Sequence, residues 1–338
     1  LAVVGLTVRN APDHGIVYYV PGSATGTLRV SLLSVHIRNN AGHGVWIADQ
    51  VDNSAPDGVQ PPAAGSDASL DVTVLGSHFT NNGKDPVHSV SDRDGLRVDE
   101  GGLGDLKITV RLSVFQGNGA DGLEVDERST GDIRVDMLLT LVAGNGEFDP
   151  EDLDDGFDID EYNEGSIIGS IVSSSAIDNW EEGFDFNEND AGDLRVDMVL
   201  VEANGNREEG IDYEEDDDFA GGGDLVTTMF GVRANGNGVD GGDAGLKIRE
   251  KGAGNLDVTL RGVETSNNLI GGTSIREDAD GNLLASMTKA TSLANTGHGI
   301  DFDENTTGTD VTGDLTATVT KSNSSNNGGA GVRADEQS

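Results

Sequence analysis

The 338-residue chain has no cysteine, seven prolines and only 4% aromatic residues. Without cysteine there are no disulfide staples and no thiol chemistry, although the compartment stays open. No apolar run reaches the ~18 residues that a membrane-spanning helix needs. Basic residues are also scarce: 21 Lys and Arg stand against 61 Asp and Glu, a formal charge of −40. Such a surface repels nucleic acid and anionic membranes, and it favours metal cations, basic partners or a salty medium. Neither an initiator Met nor a signal peptide precedes Leu1. A processed or excised segment is therefore expected.

An apolar fraction of 35% is low for a compact core. Val, Ile, Leu, Phe and Met nevertheless recur at short, regular intervals, which argues against disorder despite the charge. A repeat accounts for the intervals. The pattern Gly, apolar, any, apolar, any, Glu returns in DGLRVDE ending at Glu100, DGLEVDE at Glu127, DGFDIDE at Glu161, EGFDFNE at Glu188 and EGIDYEE at Glu215. It continues in AGLKIRE at Glu250, GGTSIRE at Glu277, HGIDFDE at Glu304 and AGVRADE at Glu336. Earlier copies are HGVWIAD, with Asp49 in place of the Glu, and the divergent HGIVYYV at 14–20. Several motif glycines are 27 residues apart, as from Gly156 to Gly183 to Gly210.

A second column lies before the Gly: Asn40, Asn82, Asn118, Asn145, Asn179, Asn206, Asn237, Asn268, Asn295 and Asn327. A third block of alternation opens each unit, as in DLKITV at 105, DIRVDM at 132 and DLRVDM at 193. Three short period-two stretches per unit, separated by Gly, Asn and Asp turns and without helical periodicity, make one rung of a parallel β-helix. One rung cannot bury its apolar face; stacked rungs can. The expected fold is all-β, a single-stranded parallel β-helix of about eleven rungs spanning 1–338 as one domain, part of a larger exported protein or a filament subunit.

Asn followed by Gly-apolar-any-apolar resembles the right-handed parallel β-helix repeat family, the pectate-lyase-like superfamily of exported proteins, over nearly the whole chain. The resemblance implies right-handed winding, in line with the bias of parallel crossovers. It leaves activity open, because that scaffold serves lyases, hydrolases, epimerases, adhesins and inert stalks. VWIAD at 45–49 is similar to a pectate-lyase motif, but Ala48 stands where the motif has Asp, and the lyases' arginine-proline-arginine signature is missing. GHG at 42–44 and 297–299, like LKIRE at 246–250, resembles hydrolase motifs. Both GHG copies, however, fall on the repeat's own Gly column, whose preceding residue varies among His, Asp, Glu, Ala and Gly.

In the strand after each Gly the first and third residues should point inward, and the second and fourth outward. Stacking would then align Glu124 and Asp126, Asp158 and Asp160, Asp185 and Asn187, Asp212 and Glu214 as an outward acidic patch. Arg97 should bound it on one side, and Lys247 with Arg249 on the other. Calcium is the expected ligand, since it accepts many carboxylate oxygens in flexible geometry and the chain lacks the His and Cys clusters of zinc sites. The alternative for the patch is a solvated face that keeps the rod soluble.

The Glu column (Glu100, Glu127, Glu161, Glu188, Glu215, Glu250, Glu277, Glu304) falls where strand meets turn, so it should accept backbone N–H groups or hold cations between rungs. The Asn column, including Asn118, Asn145, Asn179, Asn206, Asn237, Asn268 and Asn295, should stack its amides and supply the left-handed backbone of a tight corner. Inserts at 83–94, 146–155 and 238–244 should flank the acidic face, and those at 50–69 and 214–223 the opposite end of the strand.

The leading expectation is a non-catalytic, calcium-binding, secreted or cell-surface protein, structural, adhesin-like or filament-forming. Its partners would be itself or adjoining repeats end to end, with no nucleic acid and no membrane insertion. The alternative is a calcium-dependent polysaccharide lyase, hydrolase or epimerase on a uronic-acid polymer, with Arg97, Lys84, His88 and Arg93 as the candidates for catalysis. Such an enzyme would need a base beside cation-bound carboxylates. Trp46, Trp180, Tyr162 and Tyr213 are the aromatics available to a sugar-binding groove.

Overall fold

The computed structural model describes residues 1–49, 65–84, 93–148, 154–216, 222–305 and 313–337. Every regular element among them is a β-strand, and every strand pairing is parallel. The strands stack into a β-solenoid with three faces. The first face is an eleven-stranded sheet from Ala2–Val4 to Leu315–Thr320, and the third is an eleven-stranded sheet from Ile16–Tyr19 to Val332–Gln337. The second face is a seven-stranded sheet and a three-stranded sheet. Between them Arg233 makes only isolated bridges, to Glu202 and Glu264, so the face continues without a full strand there.

Register follows the repeat. Leu106 pairs with Ile133, Phe115 with Val142 and Val125 with Ile159, so equivalent positions of successive rungs are Cα partners. A one-residue slip would turn every apolar side chain out of the core, which is why alternation fixes the register. The core is one continuous column that includes Leu70, Ile108, Phe115, Phe157, Ile159, Phe186 and Ile248, all shielded from solvent. Tyr213 belongs to this column, fully buried with its ring 4.8 Å from that of Phe186. It is therefore packing rather than a groove aromatic.

Each rung turns two sharp corners with left-handed backbone. The first lies between the first and second sheets, at Gly5, Ser34, Gly76, Leu112, Leu139, Ser173, Leu200, Gly231, Gly262, Lys289 and Lys321. The second follows the second sheet, at Asn10, Asn39, Asn81, Gly117, Gly144, Asp178, Gly205, Gly236, Asn267, Ala294 and Asn326. The left-handed residue is thus the one before the Asn column, which corrects the expectation for the column itself. Its amides stack instead. Asn82 Nδ2 donates to Asn118 Oδ1, Asn118 to Asn145, Asn145 to Asn179 and Asn179 to Asn206, at 3.0–3.1 Å. The same oxygens accept the main-chain N–H of the Asn in the preceding rung. These amides are fully buried, and each amide links two rungs, so donors and acceptors that would be costly to bury alone satisfy one another.

Candidate cation-binding site

The third sheet carries three acidic columns, all set by the motif that follows the Asn ladder. Register pairs Arg97 with Glu124, Glu124 with Asp158, Asp158 with Asp185, and Asp160 with Asn187, as stacking requires. The outward face is not open to water, however. Glu124, Asp126 and Asp212 are buried and Asp158, Asp160, Asp185 and Glu214 half-buried. Long side chains lie along the face instead of away from it. The Arg97 guanidinium reaches Asp99, Glu124 and Asp126 at 2.8–3.1 Å, and Arg128 adds a second cation between Asp99 and Asp126. Although burial works to raise it, Asp99 is held below the usual carboxylate range by these two guanidiniums.

At the other end Lys247, Arg249 and Lys251 surround Glu214, and Lys247 also donates to Asp212 Oδ2 at 2.7 Å. Burial would raise the Glu214 carboxyl, yet Lys247 and Lys251 bring it below its ordinary value. Glu214 is therefore neutralised by the chain itself. Asp160 accepts the Tyr162 hydroxyl at 2.6 Å. Between these basic ends Asp158 and Asp185 have no ion pair among the described residues. Asp126 Oδ1, Asp158 Oδ1 and Asp185 Oδ1 are buried oxygens that accept no hydrogen bond among the described residues.

The residue immediately before the motif Gly supplies the column that sequence reasoning missed. His14 Nδ1 accepts the His43 N–H, His43 Nδ1 the Asp94 N–H, Asp94 Oδ1 the Asp121 N–H, Asp121 Oδ1 the Asp155 N–H and Asp155 Oδ1 the Glu182 N–H. His298 Nδ1 does the same for Ala330. Imidazole and carboxylate are interchangeable in this column because either can accept an N–H from the next rung. This gives the histidines of both GHG segments a scaffold role. Burial and the neighbouring His43 lower His14 to about 4, which keeps its ring a neutral acceptor.

Where the column is acidic, it completes clusters with the outward residues. Donor oxygens of Asp94, Asp121 and Glu124 lie within 4.8 Å of one another, as do those of Glu124, Asp126 and Asp158, and of Asp155, Asp158 and Asp185. Asp155 with Glu181 and Glu182, and Glu182 with Glu208 and Glu209, extend the track. At ~4.8 Å and an effective dielectric constant of ~20, two carboxylates repel by about 3–4 kcal/mol. Burial, with that repulsion, pushes Asp155, Asp158, Glu182 and Asp185 well above the carboxylate range and Asp126 to about 7. Arg97 already meets part of this charge in the two clusters that contain Glu124, whereas the clusters of Asp155, Asp158, Glu182 and Asp185 require a proton or a metal cation.

The Glu column is a separate feature, inside the turn. Its members from Glu100 to Glu304 are buried, while Glu336 in the end strand is exposed. Their carboxyls accept main-chain N–H groups of the turn, as Glu127 does from Ser129 and Gly131, Glu250 from Gly254 and Glu277 from Ala279. Asp49 does the same from Ser66. The carboxyls also bond one another between rungs. Burial and the adjacent carboxylates push Glu100 to about 10, Glu161 to about 12 and Glu250 to about 11. Those three therefore hold protons at neutral pH and donate to Glu127, Glu188 and Glu277.

Arg97, ringed by carboxylates, is part of the scaffold of the track. Lys84 sits 3.5 Å from Glu147, and Arg93 3.7 Å from Asp13. His88 lies outside the described residues, as do most of the insert at 50–69 and the centres of those at 83–94, 146–155 and 214–223. The insert at 238–244 borders the track, where Asp243 N–H donates to Glu209 Oε1. Trp46 packs at a tilt against His14 and His43 and edge-on to Tyr19, and Trp180 lies under the Arg207 guanidinium. Comparisons with protein-family models, with curated proteins and with solved structures return no match.

Proposed function

We propose that the chain is a non-catalytic, calcium-binding β-solenoid of the right-handed, pectate-lyase-like kind, working outside the cell or on its surface as a rigid structural or adhesive segment. The observation that carries this reading is the run of convergent carboxylates from Asp94 to Glu209, with buried oxygens on Asp126, Asp158 and Asp185 that no donor among the described residues reaches. Calcium suits it: a large, hard cation takes six to eight oxygens at about 2.3–2.6 Å and tolerates irregular carboxylate geometry. A groove-like row of carboxylates, completed by water, falls in the weaker class of calcium sites typical of extracellular modules. Further rungs or another copy, stacked on the open end strands, would be its partners.

Thermal melts in chelator, in calcium and in sodium chloride of matched ionic strength test this. Calcium from micromolar to millimolar should raise Tm, and the double variant Asp158→Asn, Asp185→Asn should lose most of that rise. A melting temperature that follows ionic strength alone would leave only the solvated-face reading.

A further inference from the structure

We propose that the corner between the first and second sheets is a self-association surface, along which a second copy of this chain packs side by side. The corner demands a left-handed residue in every rung, and glycine meets that demand at Gly5, Gly76, Gly231 and Gly262. Three rungs instead place leucine there: Leu112 (φ 53°), Leu139 (φ 50°) and Leu200 (φ 55°). These are 56%, 52% and 53% exposed. Each is unfavourable twice, since a Cβ disfavours this backbone and an apolar side chain gains nothing from facing water.

The preceding position continues the ridge. Val4, Leu75 and Phe230 are exposed there, and Leu33, Leu138, Val172 and Val199 half-buried. Leu200 reaches the next rung, where a Cβ on Gly231 would meet its Cδ2 at 2.9 Å, so the ridge is continuous across that step.

Charge selects the occupant. In a chain with 61 acids among 338 residues, neither of these two columns holds an Asp or Glu in any rung; their charges are Arg111, Arg261, Lys289 and Lys321. Two copies with a net charge of −40 repel one another, and a ridge without carboxylates lowers that cost where it faces its own like. From Val4 to Phe230 the ridge crosses eight rungs, about 34 Å at ~4.8 Å each. With a width of ~15 Å, which takes in flanking side chains such as Asp136, Asp197 and Glu202 beside the two columns, pairing like strip to like strip covers roughly 1,000 Å² in total, the lower limit for a specific interface. A weak dimer is expected, tighter in high salt, where repulsion is screened.

The test is sedimentation velocity from micromolar to submillimolar protein in 0.15 M and 1 M sodium chloride, on wild type and on Leu112→Gly, Leu139→Gly, Leu200→Gly. Glycine is the residue that other rungs use at this position, so the triple variant should fold and melt no lower than wild type. Wild type should form a species of twice the 35.1 kDa chain mass, favoured by salt. The variant should associate at least about tenfold more weakly. Wild type that stays monomeric in both salts, or a variant that associates as wild type does, overturns the proposal.

Discussion

Replacing Glu277 by glutamine should stabilise the solenoid at high pH and leave it nearly unchanged at low pH. Glu277 is fully buried, and its Oε1 accepts the Ala279 N–H at 2.8 Å. Burial is the largest cause that pushes it up from 4.5 to about 7, and the Glu304 carboxylate adds to it, while the Ala279 N–H and a proton donated by Glu250 oppose the rise. Because the folded pKa lies above the unfolded one, the associated stability is fully present below about pH 4.5 and is lost as pH rises through about 7. At 1.36 kcal/mol per unit the loss is about 3 kcal/mol. Spread over a cooperative unfolding entropy of ~2.1 cal/mol/K per residue, this corresponds to about 4 °C in Tm. Glutamine keeps the acceptor for Ala279 and carries its own permanent donor, so it has nothing to lose on ionisation. Melts of both proteins at pH 5, 7 and 9 in chelator should show the variant's Tm gaining about 4 °C on wild type across that range. A difference that is independent of pH, or that shrinks as pH rises, would refute the proton-sharing account of the column.

Three further outcomes follow from the columns. Asn118→Ala removes the acceptor of the Asn82 N–H and amide and the donor to Phe79 O, all buried, and should cost about 2–4 kcal/mol in denaturant or thermal unfolding. His43→Ala leaves the buried Asp94 N–H without its acceptor and should cost about 1–3 kcal/mol, whereas His43→Asp, the residue type of the following rungs, should recover most of it. Calcium binding to the acidic track at pH 7 should release protons, because Asp126 is raised to about 7 and Asp158 and Asp185 well above the carboxylate range; titration in buffers of different ionisation enthalpy would detect them.

The sequence alone determined the architecture. Glycine, alternating apolar residues and a terminal Glu at repeating intervals admit only one register, because any slip exposes the core. The stacks of Glu127, Glu161 and Glu188 and of Asn118, Asn145 and Asn179 follow from that register. What stacking does to a side chain's environment was decided by tertiary structure. Asp126 has outward parity, yet it is buried because Arg97 and Arg128 lie along the sheet over it. The column before the motif Gly was hidden in sequence because His43, Asp94 and Asp155 share a role, accepting one N–H from the next rung, and no residue type. The left-handed leucines left no mark in the pattern either, since the backbone at Leu112, Leu139 and Leu200 is imposed by a corner that the stacked rungs share and not by any preference of leucine.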